Sequence, residues 1–349
     1  MRIKSICRGN IIMKTKKFLS LALTLAMLLP SCAADPGTNG GKITVTDQAG
    51  RTVILEEPAD RIVSSYYIST SLLVALGCED SLVGIEKKAD TRNLYKMAAP
   101  EIIELPAVGS GKGISVEETA ALNPDVVILP VRLLDSVSAF EELGIPVVVV
   151  DPETSADFEE CLSILASVTG KTERGNELLD FYSGKMAEMT ALSAGESSPS
   201  VYFAGSSAVT HTVTAGMYQS NIAAIAGGRN VTDDLEGGQW TDISREQLMA
   251  YDPEYIFAVN YAEYELDTIT ADPAFAELQA VKNGKVYEFP SDIEAWDSPC
   301  SSSVLGVMWM THILHPDLYS EEAYLTEARE FYKTYFDIEV TEADLGITK

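Results

Sequence analysis

The chain has few of the side chains that most catalytic and metal sites need. It contains three histidines and five cysteines in 349 residues, and no two cysteines are spaced as C-x-x-C. Cys7 and Cys32 lie near an N-terminal apolar run, which leaves three widely spaced cysteines. An odd, scattered set predicts neither a disulfide framework nor a zinc site. We therefore expect Cys78, Cys161 and Cys300 to be buried as small apolar residues.

Basic residues are also scarce. The sequence has 25 lysines and arginines against 52 acidic residues, which gives a formal net charge of -27 at pH 7. A surface with this excess of negative charge repels nucleic acids and anionic lipids, so no nucleic-acid partner is expected. A few local cations can still reverse the sign inside a cleft, which leaves room for a small anionic ligand.

No apolar run is long enough to span a bilayer, which takes about 20 residues. The N-terminal run, residues 18–30, follows three lysines and ends just before Ser31 and Cys32. A basic start, an apolar middle, a small residue and a cysteine are the order of a bacterial export signal with a lipobox. The sequence predicts a signal peptide over residues 1–31 and a mature, extracytoplasmic chain that is anchored to a membrane by a lipid on Cys32. A short transmembrane helix is the alternative.

The rest of the chain alternates strands with helices. Residues 32–42 are rich in Gly, Asp, Pro and Thr and are expected to form a flexible tether. Continuous β-branched runs at 125–129 and 146–150 predict strands buried on both faces, with helical spacing between them. This order indicates an open α/β sheet. A long helix from Thr172, a linker and a second α/β stretch follow, and about 300 residues favour two lobes over one core.

Two segments repeat one pattern. Ser115 and Ser244 each open a Ser-x-x-Glu/Gln sequence nine residues before a proline, and a buried strand follows each proline. Ser-x-x-Glu/Gln is a capping box, which marks the first turn of a helix. We therefore expect two lobes of related plan, with Glu117 and Glu246 at equivalent places in the first turns of equivalent helices.

No catalytic constellation is apparent, since the chain has no G-x-S-x-G elbow and its segment 109–113 lacks the Gly-Lys-Ser/Thr ending of a phosphate loop. His312 and His315 lack further ligands, so no metal site is predicted. Loops that follow strands of an open α/β sheet face the ligand crevice. The candidate ligand-binding residues in such positions are Tyr66, Tyr67, Lys112, Arg132, His211, Tyr218, Trp240 and Trp296. The alternative for the aromatic candidates is packing in the core, and the alternative for the charged ones is solvation at the surface.

Five segments carry a family resemblance: TDQAGRTV (46–53), PADRIVS (58–64), LNPDVV (122–127), AGGRNV (226–231) with Trp240, and ISREQL (243–248). Together they resemble the class III substrate-binding proteins of ABC transporters, a family that serves uptake of ferric siderophores, haem and cobalamin. The resemblance spans about residues 43–335. One segment departs from the cobalamin-binding members, which have a tryptophan in the loop where this chain has residues 109–113.

The resemblance implies two Rossmann-like α/β lobes bridged by one long rigid helix, with the ligand between them. The expected parts are an N-terminal lobe over 43–171, a bridging helix over 172–194, and a C-terminal lobe with closing helices over 195–349. The family further implies that Glu117 and Glu246 form salt bridges with arginines of the permease.

The expected function follows from the resemblance. It is a lipoprotein that captures an iron complex, a siderophore or haem, and delivers it to an ABC permease and its ATPase. A corrinoid or an oxyanion such as molybdate is the alternative within the class, and an extracytoplasmic enzyme of metal-chelatase type is the alternative outside it. The chain is expected to be a monomer without catalytic activity or cofactor, in contact with the membrane only through its lipid.

Overall fold

The structure is a computed structural model that describes residues 41–237, 239–290 and 292–347. The predicted signal peptide, Cys32 and the tether up to residue 40 lie outside the described residues. Within those ranges, no helix combines the length and the apolar character that a bilayer crossing requires.

Strands and helices alternate along the chain. The strands are β1 (Ile43–Thr46), β2 (Thr52–Leu55), β3 (Ile62–Ser64), β4 (Leu82–Glu86), β5 (Ala107–Ser110), β6 (Gly113–Ile114), β7 (Val126–Pro130), β8 (Val147–Val150), β9 (Ser200–Ala204), β10 (His211–Thr212), β11 (Arg229–Asn230), β12 (Thr241–Asp242), β13 (Tyr255–Ala258) and β14 (Val286–Glu288). The helices are α1 (Tyr67–Ala75), α2 (Asn93–Ala98), α3 (Val116–Ala121), α4 (Val137–Glu141), α5 (Ser155–Val168), α6 (Thr172–Ser193), α7 (Tyr218–Ile225), α8 (Arg245–Tyr251), α9 (Asp267–Thr270), α10 (Gln279–Lys282), α11 (Ser303–Leu314) and α12 (Glu321–Phe336).

The N-terminal lobe is built on a six-stranded sheet of order β6-β5-β4-β3-β7-β8. Its strands are parallel except β6, which pairs antiparallel with β5. Every residue of β7 and β8 is buried. Both faces of these strands are covered, which is why their sequences are continuous apolar runs rather than alternating ones.

The C-terminal lobe repeats the inner part of this plan. Its sheet has the order β11-β9-β13-β14, and all of its pairs are parallel. The first strand of each main sheet (β3 or β9) pairs on one side with the next strand of that sheet. On its other side it pairs with the strand that follows a serine-capped helix. The two-lobe α/β fold expected from the sequence is therefore confirmed.

Helix α6 connects the two sheets in sequence. It covers 22 residues, and its buried face carries Leu178, Tyr182, Met186 and Met189 at the spacing that predicted it. The Tyr182 hydroxyl donates to the carbonyl of Cys300 at 3.0 Å. The last helix, α12, packs against α11 and returns to α1 of the first lobe. Both sheets thereby belong to one compact unit.

The three cysteines within the described ranges are buried and free, as expected of small apolar residues. Burial raises the pKa of the Cys161 and Cys300 thiols, and the Glu294 carboxylate adds to the effect on Cys300. These thiols are held in the unreactive, protonated form.

Candidate ligand-binding site

A cavity of about 570 Å³ opens at the carboxyl ends of the parallel strands. Residues that follow β3, β8, β13 and β14 contribute to its wall, together with α2 and the start of α7. This is the edge at which open α/β sheets bind ligands, because the loops that leave the strands converge there. Six aromatic side chains line it: Tyr66, Tyr67, Tyr95, Tyr218, Trp240 and Tyr261.

Four of the eight residues predicted from the sequence line this cavity. They are Tyr66, Tyr67, Tyr218 and Trp240. Tyr66 and Tyr67 pack edge to face, with ring centroids 5.3 Å apart and planes at 80°. Burial raises the pKa of both phenols, so each keeps its proton and offers a neutral ring and hydroxyl.

Arg132 and His211 lie behind the wall and support it. The Arg132 guanidinium stacks 4.6 Å from the ring centroid of Tyr66, and its Nε donates to the carbonyl of Gly111 at 2.7 Å. His211 stacks on Trp240 at 5.6 Å with planes at 12°, and its Nδ1 lies 2.9 Å from Asp242 Oδ1. Both residues therefore fix the orientation of an aromatic side chain that lines the cavity.

Two of the eight predicted residues, Trp296 and Lys112, do not line this cavity. Trp296 is 1% exposed in the core, and its Nε1 donates to the Tyr332 hydroxyl at 3.1 Å. The core covers the large indole and also satisfies its one polar atom, so burial is favoured over a place at the cleft. Lys112 is exposed at the turn between β5 and β6, where its ammonium is solvated.

Two buried carboxylates behind the wall were missed by sequence reasoning. Glu86, at the end of β4, accepts hydrogen bonds from the Tyr95 hydroxyl at 2.9 Å and from Thr70 at 2.7 Å. Asp297 is fully buried, and its Oδ2 accepts from the Tyr261 hydroxyl at 2.8 Å and from Gln219 at 3.3 Å. Burial raises the pKa of both carboxyl groups.

Arg92 was missed as well. Its guanidinium lies 4.3 Å from the ring centroid of Tyr67 and lines the cavity. It directly precedes α2 and follows a short 3-10 turn rather than a strand, so the rule that found the tyrosines does not reach it. The signal that could have found Arg92 is its basic side chain, which suits a place beside the aromatic residues of a ligand-binding wall.

The segment after β14 ties the two lobes together at the floor of the cavity. Asn93 of α2 donates to the carbonyl of Asp292 at 2.7 Å. Glu294 accepts hydrogen bonds from Ser71 of α1 and, at 2.7 Å, from Ser301. The carboxylate of Glu294 therefore accepts hydrogen bonds from residues of both lobes.

Glu117 and Glu246 lie exposed in the first turns of α3 and α8. The N-cap serine of each helix accepts a backbone hydrogen bond, and the helix at Ser244 has a complete capping box with Gln247. At Ser115 only the serine half of the box is formed. Hydrogen bonds from its own backbone N–H and from Ser244 lower the pKa of Glu246, so this carboxylate stays ionised.

The described residues contain no group of three or more His, Cys, Asp or Glu side chains arranged to hold a metal ion. The cavity instead combines aromatic faces with hydrogen-bonding groups from both lobes. This composition is typical of a site for an organic or organometallic ligand that is bound whole.

Comparisons with known proteins agree with this architecture. The family model described as "Periplasmic binding protein" matches residues 62–293. The molybdate-binding protein MolA of Haemophilus influenzae is 24% identical over 93% of this chain and 97% of its own length. A vitamin B12-binding protein of Yersinia pestis is 29% identical over 62% of this chain and 74% of its own.

A solved structure of a periplasmic solute binding protein from Veillonella parvula superposes with a TM-score of 0.77 at 25% identity. It covers 87% of this chain and 95% of that one. The match extends over both lobes. The chain therefore belongs to the periplasmic binding protein family and is a class III substrate-binding protein of the ABC transporter type.

Proposed function

We propose that this protein is a lipid-anchored receptor that captures an iron chelate between its two lobes and delivers it to an ABC permease and its ATPase. The lobes are residues 43–171 and 195–349, joined by the helix at 172–194. The observation that carries the proposal is the cavity of about 570 Å³ with six aromatic side chains in its wall. Cavities of roughly 300–1,000 Å³ with mostly apolar walls suit ligands of drug-like size.

The size of the cavity favours a chelate over a bare oxyanion. One water molecule takes up about 30 Å³ of liquid, and molybdate has only five heavy atoms. An anion of that size would leave most of the cavity open to solvent. A siderophore complex, by contrast, can contact aromatic residues of both lobes at once, such as Tyr66 and Tyr261.

The test is a titration of the purified protein with a panel of ferric siderophores, haem, cobalamin and molybdate. Quenching of tryptophan fluorescence measures binding at each step. Trp240 lines the cavity and reports directly on occupancy. We expect saturable binding of an iron chelate at micromolar or lower concentration. The affinity should fall in Tyr261→Ala and stay unchanged in Tyr251→Ala, which alters a tyrosine outside the cavity. Saturation by molybdate alone, or by no member of the panel, would refute the proposal.

The lipid anchor is part of the proposal and has its own test. In the native host, Cys32→Ser should move the protein from the membrane fraction to the soluble one without changing its thermal unfolding. Cys78→Ser is the matched control, since Cys78 is buried and should leave the fractionation as it is. A Cys32→Ser protein that still sediments with membranes would remove the anchor from the proposal.

A further inference from the structure

Two phenols in the cavity wall already donate to protein acceptors. The Tyr261 hydroxyl donates to Asp297 at 2.8 Å, and the Tyr95 hydroxyl donates to Glu86 at 2.9 Å. A phenol has one proton to donate. Because that proton is held by a carboxyl group behind the wall, the hydroxyl offers a ligand only its lone pairs.

Three side-chain amides of the wall each donate one of their two N–H groups to a protein acceptor. The amide nitrogens of Asn93 and Asn260 donate to the backbone oxygen and to the carboxylate of Asp292, at 2.7 and 3.4 Å. The amide nitrogen of Gln219 donates to Asp297 at 3.3 Å. The protein therefore already uses part of the donor capacity of the wall.

The charged side chains of the wall are mainly acidic. Among the described residues that line the cavity, one arginine, Arg92, stands against three carboxylates: Glu153, Asp292 and Glu294. Glu294 is hydrogen-bonded to serines of both lobes, whereas Glu153 and Asp292 are exposed toward solvent. The faces of aromatic rings add to this field, because the ring quadrupole attracts cations.

We propose that the cavity selects a metal chelate of net positive charge, and that Glu153 and Asp292 determine this specificity. The inference rests on the proposed function as a chelate receptor and deepens it. A cationic chelate meets carboxylates, phenol lone pairs and aromatic faces. A catecholate chelate, haem with its propionates, or molybdate would bring negative charge against Glu153 and Asp292, with Arg92 as the one opposing cation in the described wall.

The test compares chelates that differ in charge. The probes are a ferric trishydroxamate that carries one free ammonium group, an uncharged ferric trishydroxamate and a trianionic ferric tris-catecholate. We expect the cationic chelate to bind about a hundredfold more tightly than the tris-catecholate, which corresponds to about 2.7 kcal/mol. In Glu153→Gln/Asp292→Asn, affinity for the cationic chelate should fall about tenfold, and affinity for the uncharged one should hold.

Two controls keep the result interpretable. Glu142→Gln/Asp317→Asn makes the same chemical changes at exposed sites outside the cavity and should leave all affinities unchanged. Arg92→Gln should strengthen binding of the cationic chelate, whereas Arg229→Gln, on the exposed edge strand β11, should not. This gain in affinity tests the inference even if the double variant fails to fold.

The outcomes separate the two proposals. Tighter binding of the tris-catecholate than of the cationic chelate would overturn the charge inference and leave the receptor function standing. The same holds if neutralising Glu153 and Asp292 has no effect on the cationic chelate. Binding of no chelate at all would refute the receptor function and, with it, this inference.

Discussion

Asp297 offers a sharp test of how the site is held. It is fully buried, and its Oδ2 accepts from Tyr261 and Gln219, two residues that line the cavity. Its Oδ1 has no hydrogen-bond partner within the described part of the chain. Burial raises the pKa of Asp297, because the charged form loses hydration that two donors replace only in part.

The magnitude for removing the carboxyl group follows from these contacts. Asp297→Ala leaves two donors without their acceptor, and a buried donor without a partner costs about 1–3 kcal/mol. Because water can reach part of Tyr261, which is 45% exposed, we expect a total loss near the lower end, roughly 2–4 kcal/mol. At about 2.1 cal/mol/K of unfolding entropy per residue, that corresponds to a fall in Tm of roughly 3–6 °C for a chain of this size.

Asp297→Asn separates charge from packing. The folded pKa of Asp297 lies above the unfolded value of about 3.9, so the folded state favours the protonated group. Below the unfolded pKa, Asp297 is protonated in both states, so its ionisation does not lower the free energy of unfolding. The loss of stability grows as the pH rises above the unfolded pKa and through the raised folded pKa. Asparagine cannot ionise. The free energy of unfolding of Asp297→Asn, relative to wild type, should therefore increase from pH 4 to pH 7.

Chemical denaturation of the wild type and the variants at several pH values measures this difference. Asp317→Asn, at an exposed position, should show a flat difference over the same range. If the Asp297→Asn difference is also flat, or if Asp297→Ala melts with the wild type, the account of a desolvated carboxyl group that holds Tyr261 is wrong.

Other predictions concern packing and delivery. Gly306→Ala in α11 would place a Cβ 2.2 Å from the backbone oxygen of Trp296 and should lower the stability measured in a thermal melt by about 1–3 kcal/mol. Gly184→Ala in α6, which has open space around it, should raise the stability by about 0.5–1 kcal/mol. Equal effects of the two substitutions would contradict the packing argument. If Glu117 and Glu246 dock to permease arginines, as the family resemblance implies, Glu117→Arg combined with Glu246→Arg should leave chelate affinity near normal and abolish uptake by whole cells, because like charges would then face each other. Normal uptake at normal protein level would exclude both residues from docking.

The sequence predicts those features that local patterns determine. The β-branched runs predicted β7 and β8, and the recurrence of Leu178, Tyr182 and Met186 predicted α6, because each pattern matches the period of one element. The rule that loops follow strands into the crevice found Tyr66 and Tyr67. It works because the carboxyl ends of parallel strands converge at one edge of the sheet.

The contacts that decide the chemistry of the site come from residues far apart in sequence. Trp296 and Asp297 are neighbours in the sequence, and the sequence analysis predicted Trp296, not Asp297, as a ligand-binding residue. The structure turns Trp296 toward Tyr332 of α12 and directs Asp297 to Tyr261 after β13, partners that are 36 residues away in each direction. The pairing thus depends on how α12 and the second sheet pack around residues 292–302. The same packing engages the Tyr261 hydroxyl and one N–H of Gln219 with Asp297, and no local pattern encodes these tertiary contacts.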